Sequence, residues 1–201
     1  MRTNLLFIAA SLLLAFSACN KVSESLQRDT IIRPDTILFD IPVITNVVSP
    51  NESITNLATQ INLAERINSI GGFELKDIVS IKLSGITLTL SESTFLTPDG
   101  NTPPGLKETV GIDPANNFAN IGSMKVNVTS GTKVDSLAKV LNPSETKNSK
   151  LSLTPIISPD SLKAFVNAGN MKYNVILQMK TPTTAVMKAK MFTSYTLTLR
   201  K

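Results

Sequence analysis

The chain has 201 residues, 42% of them hydrophobic and 17% charged, with 20 Lys and Arg against 15 Asp and Glu for a formal net charge of +5. This is the composition of a folding chain and not of a disordered one, and the length suits a single domain with a real core. There is no histidine, no tryptophan and only one cysteine, which excludes Ser-His-Asp and Cys-His catalysis, imidazole-based metal sites and any internal disulfide. Sites that stack sugars or bases on indole rings are excluded with them.

The chain opens with Arg2, an apolar stretch over residues 5–16, the small residues Ser17 and Ala18, and then Cys19. A positive start, a short apolar run and small residues at the end form the layout of a secretory signal peptide. The apolar run is too short to span a bilayer, which takes ~20 residues, and no other window is long enough. The segment Phe16-Ser17-Ala18-Cys19 resembles the lipobox of bacterial lipoproteins of the Bacteroidota type, over residues 1–19, with Phe16 where leucine is usual. The resemblance implies that residues 1–18 are removed, that Cys19 is acylated and has no free thiol, and that the acyl chains form a permanent membrane anchor. In the same family Asn20, standing where an aspartate would retain the protein at the inner membrane, implies the outer membrane, with the side left open.

Residues 20–33 are polar and read as a flexible stalk reaching roughly 20 Å as a coil, so the expected organisation is a lipidated cysteine and stalk over 19–35 and one domain over 36–201. Alternation of Ile37, Phe39, Ile41 and Val43 makes residues 36–48 a strand, with Pro42 placing it at an edge or bulge. Residues 53–61 read as extended. Asn62 with Glu65 starts a short helix over 63–70 that Gly71 and Gly72 stop. Residues 78–91 form a long strand with Gly85 as a bulge, and the Pro- and Gly-rich segment 97–114 a long loop. Strands are expected at 118–129 and 149–157, with a short helix over 135–141 between them. Another helix runs from Pro159 to Ala168, and a closing hairpin pairs residues 172–180 with 185–199. The phenylalanines, including Phe39, Phe73, Phe95, Phe118, Phe165 and Phe192, read as core.

Together these elements predict a mainly β fold, an antiparallel β-sandwich of about seven or eight strands with two or three short helices. A transmembrane barrel is disfavoured by the missing aromatic girdles.

Four tripeptides, beginning at Asp29, Asp35, Asp135 and Asp160, have the form Asp, Ser or Thr, aliphatic. They are similar to the O-glycosylation signal of Bacteroidota-type exported proteins. Asp135 and Asp160 read as helix N-caps, which leaves Thr30 and Thr36 in the stalk as the candidate acceptors. Asp99 and Asn101, with Asp113 nearby, offer oxygen ligands but lack the EF-hand pattern and read as a turn. After Asp160 the chain has no acidic residue and seven basic ones, and Lys188 and Lys190 share one strand face, suited to acidic groups or to the protection of an edge. Ser161 with Lys163, and Ser80 with Lys82, miss the Ser-x-x-Lys spacing.

The expectation is a lipid-anchored outer-membrane binding or scaffold module, not an enzyme, without cofactor or metal and without nucleic acid. Its partner is another envelope protein, met through lateral faces or the 97–114 loop, with Lys188, Lys190, Asp99 and Asn101 as candidate contacts. The alternative is an accessory lipoprotein that captures glycan or lipid for an uptake system.

Overall fold

The computed structural model describes residues 27–34, 36–48, 52–58, 63–91, 113–143, 149–167 and 171–201. In chain order they form β1 (Gln27–Ile32), β2 (Ile37–Ile41), β3 (Glu52–Ala58), α1 (Leu63–Ser69), β4 (Ile78–Leu90), β5 (Ile121–Ser130), β6 (Lys133–Leu141), β7 (Lys150–Pro155), α2 (Pro159–Asn167), β8 (Lys172–Met179) and β9 (Met187–Arg200). The period-two pattern of β9 decides the rest. Met187, Ala189, Met191, Tyr195, Leu197 and Leu199 are buried on one face, while Lys188, Lys190, Phe192, Ser194, Thr196, Thr198 and Arg200 lie on the other.

All strand pairs are antiparallel, in the order β1-β9-β4-β7-β6-β5-β8-β3, with β2 also on β9. The sheet folds over at β7, whose residues 150–153 pair with β4 and whose Thr154 and Pro155 pair with β6. One layer is therefore β1 and β2, β9, β4 and β7; the other is β6, β5, β8 and β3. The expected antiparallel β-sandwich is the fold, with nine strands and two helices among the described residues. Gly85 sits at a register shift of β4 against β9, the expected bulge.

The stalk is shorter than residues 20–33 suggest. From Gln27 the chain is a strand, paired residue for residue with β9 from Arg200 to Tyr195. Its polar composition reflects an edge position, where one side of the backbone and most side chains meet solvent. β1 and β2 lie in succession along one edge of β9, and four residues separate Ile32 from Ile37 where three separate their partners Tyr195 and Met191. β2 stops at Ile41, before Pro42, which cannot donate to a ladder.

Residues 135–141, expected as a helix, belong to strand β6. Val134, Leu137, Ala138 and Leu141 recur at helical spacing, but the two-residue turn Gly131-Thr132 overrides them. Gly131 has φ +59° and brings Ser130 opposite Lys133, the hairpin geometry that a glycine at the first turn position permits. A bulge at Val126/Asn127 then lets consecutive Leu137 and Ala138 both face the core. Asp135 is accordingly no helix cap; its Oδ1 accepts the Ser136 N–H at 2.7 Å. Asp160 is not an N-cap either, since Ser158 Oγ accepts the Ser161 N–H at 3.2 Å and Asp160 lies in the first turn of α2. Helix α1 ends at Ser69 and closes with Gly72, φ +67°, donating to the Asn68 carbonyl at 2.7 Å; Asn62 lies outside the described residues.

β8 and β9 are not a hairpin. β8 pairs with β5 and β3, β9 with β4, β1 and β2. The connection crosses between layers, and the two strands face each other across the core. There the only two tyrosines of the chain meet, Tyr173 on β8 and Tyr195 on β9, both fully buried and hydrogen-bonded hydroxyl to hydroxyl. Burial pushes the Tyr173 phenol up to about 12, against a smaller downward effect of the bond to Tyr195. Burial likewise holds Tyr195 well above the ordinary phenol range. The Thr193 hydroxyl, buried beside them, has a small downward effect on both phenols.

The fold has two distinct poles. At one lie the start of β1, the end of β9, the β5–β6 turn and both helices: Arg28 donates to the Ile70 carbonyl and Lys163 to that of Val79. At the other lie residues 42–48, the connection 180–186 and the end of β4 at Leu90.

Two outcomes follow for the tyrosine pair. Tyr195→Phe leaves a buried hydroxyl on Tyr173 without its partner and costs about 1–3 kcal/mol in urea unfolding, while Tyr173→Phe/Tyr195→Phe costs less than the sum of the single changes. Because both phenols are raised above their unfolded value near 10, their contribution is complete below pH 10 and is lost as pH climbs toward 12. Phenolate absorbance, undisturbed in a chain without tryptophan, should stay absent at pH 10 and rise together with unfolding.

Candidate functional site

Cys19, Asp99 and Asn101 lie outside the described residues, as do Phe95 and most of the 97–114 loop. Thr30 sits in β1 opposite fully buried Leu197 and is itself half-buried. Thr36 is exposed in the break between β1 and β2. Asp113 holds its own segment together instead of facing a cation: Oδ1 accepts the N–H groups of Ala115 and Asn116, and Oδ2 accepts from Asn116 Nδ2 at 2.6 Å. Among the described residues no group of three or more His, Cys, Asp or Glu could hold a metal ion.

Lys188 and Lys190 lie on the outward face of β9, as their spacing required. They do not protect an edge, because β9 is paired on both sides. Cross-strand register assembles their surroundings. Lys190 stands in one row with Leu38 of β2, Thr89 of β4 and Lys150 of β7; Lys188 stands opposite Asp40 of β2. The next row holds Phe192, Thr87 and Ser152, followed by Ser194 beside Gly85 and by Thr196 between Lys82 and Ile31. Ser84 and Thr196 are hydrogen-bonded hydroxyl to hydroxyl at 2.6 Å.

Phe192 is therefore not core, unlike Phe39, Phe73, Phe118 and Phe165. It is 42% exposed, diagonal to Leu38 at 68%. The alternation of β9 already contained this result, since Phe192 shares parity with Lys188 and Lys190 and not with the buried methionines. The face as a whole is a gently twisted sheet of serine and threonine hydroxyls, with an exposed Phe–Leu pair near its centre and Lys82, Lys150, Lys188, Lys190 and Arg200 around it, against Asp29 and Asp40. The Lys163 ammonium, on α2, donates to the Val79 carbonyl at 3.2 Å.

A second cluster went unnoticed in the sequence. Asn116, 2% exposed, uses its whole amide: Nδ2 donates to Asp113 Oδ2 and to Thr184 Oγ1, and Oδ1 accepts the N–H groups of Thr184 and Ala185 at 2.9 and 3.0 Å. Thr183 exchanges two bonds with Ile44, donating its N–H to the Ile44 carbonyl at 2.9 Å and accepting the Ile44 N–H on Oγ1 at 2.8 Å. These contacts clamp the 180–186 crossing from both sides. Nothing in local sequence signals them, because the partners are tens of residues apart. The cluster is saturated internally and offers no vacant donor set.

No family model matches this chain, and no curated protein does. Among solved structures, that of Cocksfoot mottle virus aligns at 8% identity over 83% of each chain with a TM-score of 0.23, a likeness too weak to carry an argument about fold or function.

Asn116→Ala removes four hydrogen bonds and leaves the N–H groups of Thr184 and Ala185 without their acceptor, so it should destabilise by about 2–4 kcal/mol in chemical denaturation. Asn116→Asp, which puts a second carboxylate against Asp113, should be at least as costly at neutral pH and partly recover when the pH is lowered.

Proposed function

We propose that this protein is a lipid-anchored binding or scaffold module of the bacterial outer membrane, held by acylated Cys19 and acting through contact with another envelope protein, not through catalysis. The observation that carries this reading is the outward face of the β9 layer. It is hydroxyl-rich, with exposed Phe192 and Leu38 among lysines. An aromatic and an aliphatic side chain at the middle of a polar rim is the arrangement of a protein contact, where a few apolar anchors contribute most of the affinity. Support for the anchor comes from residues 1–19, and no helix among the described residues is long and apolar enough to cross a membrane.

A second reading, capture of glycan or lipid for an uptake system, draws on the same face: hydroxyls and lysines in rows around Phe192 suit a hydroxylated or anionic ligand. Among the described residues Phe192 is the one exposed ring there, whereas sugar stacking usually uses Trp or Tyr.

The decisive experiment is crosslinking from a photoreactive residue at position 192 in intact cells, followed by mass spectrometry of captured species. One reproducible envelope protein, with yield falling about tenfold or more when Leu38→Ala and Lys190→Glu are added, is the expected result. Capture of glycan or lipid alone would displace the protein-partner reading in favour of the second. Separately, Cys19→Ser should abolish incorporation of labelled fatty acid and move the protein out of the membrane fraction, and fatty-acid incorporation at another residue would refute the anchor.

A further inference from the structure

The placement of β1 in the sheet constrains how an anchored molecule stands. Eight residue steps separate Cys19 from Gln27, a covalent reach of at most about 28 Å. Gln27 pairs with Arg200 at one pole, and the fourteen residues of β9 put the opposite pole about 45 Å away. The membrane is thus tied to the pole that carries the helices, and the tie is shorter than the molecule.

That pole is cationic where the tether enters. Arg28 and Arg200 stand next to and opposite Gln27, and Lys201 follows. Arg28 Nη1 donates to the Ile70 carbonyl at 2.7 Å and Lys201 Nζ to the Gly71 carbonyl at 3.3 Å, lying 5.2 Å from the centre of the Phe73 ring. These bonds hold Arg28 and Lys201 at the C-terminal turn of α1, and Arg200 lies at the same end of the sheet on its outward face. Of the acidic groups nearby, Glu74 is bound to Lys76 at 2.8 Å, Asp77 accepts the Glu74 N–H, and Asp29 faces outward beside Thr198.

We propose that the tether pole rests on the anionic headgroups of the anchoring bilayer through Arg28, Arg200 and Lys201, so that the strands stand away from the membrane and the 42–48 and 180–186 connections face outward. This rests on the reading of Cys19 as the lipid anchor. It has a consequence for that reading: the Phe192 face becomes a lateral surface, open to a neighbour in the same membrane. Short-range attraction of a few basic side chains to an anionic surface is worth about 1 kcal/mol each, enough to bias orientation once the anchor supplies the affinity.

The test uses the acylated full-length protein in phosphatidylethanolamine vesicles containing phosphatidylglycerol, with energy transfer from single labels to a headgroup acceptor. Acylation removes the only native thiol from competition, so Thr132→Cys marks the tether pole, Val186→Cys the opposite pole and Phe192→Cys the β9 face. Transfer from position 132 should exceed that from 186 severalfold, and the difference should shrink below twofold in Arg28→Glu/Arg200→Glu or in phosphatidylcholine vesicles. Equal transfer from both poles, strongest transfer from position 192, or an undiminished difference without anionic lipid would each overturn the proposal while leaving the anchor intact. Unacylated Cys19→Ser protein that binds the vesicles as strongly as the acylated form would overturn the anchor reading and the orientation that rests on it.

Discussion

Strand β9 has both of its edges occupied over nearly its whole length, and the fold depends on that. One edge carries β4, the other β1 and β2 in succession. A strand in that position must satisfy two demands at once, a full ladder on each side and a largely apolar inner face, and residues 187–200 meet both with almost unbroken alternation, the buried Thr193 and Tyr195 hydroxyls apart. Once β9 is fixed, the core is built by bringing a second layer over it, and the sheet does so by bending at β7 and by crossing between β8 and β9. The crossing is where backbone polar groups would otherwise go unpaired, and the Asn116 and Thr183 clamps supply the missing partners there. Tyr173 and Tyr195 join the two layers farther along, toward the pole where β8 begins.

What the sequence disclosed follows the range of the interaction involved. Period-two patterns in residues 78–91 and 187–200, the glycine stop after residue 70 and the bulge at Gly85 are all local, and each is readable from neighbours within a few positions. The misreadings occur where something distant decided. Residues 134–141 carry a helical spacing that a tight Gly131-Thr132 turn and pairing with β5 override. Residues 27–32 look like linker because an edge strand needs little apolar content, and its partner lies at the far end of the chain. The expected β8–β9 hairpin reflects proximity in sequence, whereas the two strands are partners across the core and not along a ladder. Of the candidate contacts, Lys188 and Lys190 came out on one outward face because parity alone settles it; Phe192 obeys the same parity and was hidden only by the habit of assigning aromatic residues to cores.

Electrostatics and surface chemistry are divided between regions of the molecule. The β9 face combines hydroxyls, lysines and a small apolar centre, the helix pole gathers Arg28, Arg200 and Lys201, and the residue pairs that saturate each other, such as Asp113 with Asn116, sit at the opposite pole. The interruption at residues 33–36 also blunts the outer edge of the β9 layer, since a strand with an extra residue and a proline is a poor template for pairing with another chain.

The way β1 joins β9 sets how the domain bears load. Tension arriving from residue 26 acts along the axis of β1, against a neighbour running antiparallel to it, and so strains the six residue pairs from Gln27–Arg200 to Ile32–Tyr195 simultaneously. A strand peeled sideways would lose those pairs one after another; a strand dragged lengthwise must give up all of them in a single event. The N-terminal connection is thus a shear joint, stronger under a pull than six residues with four of them exposed would suggest.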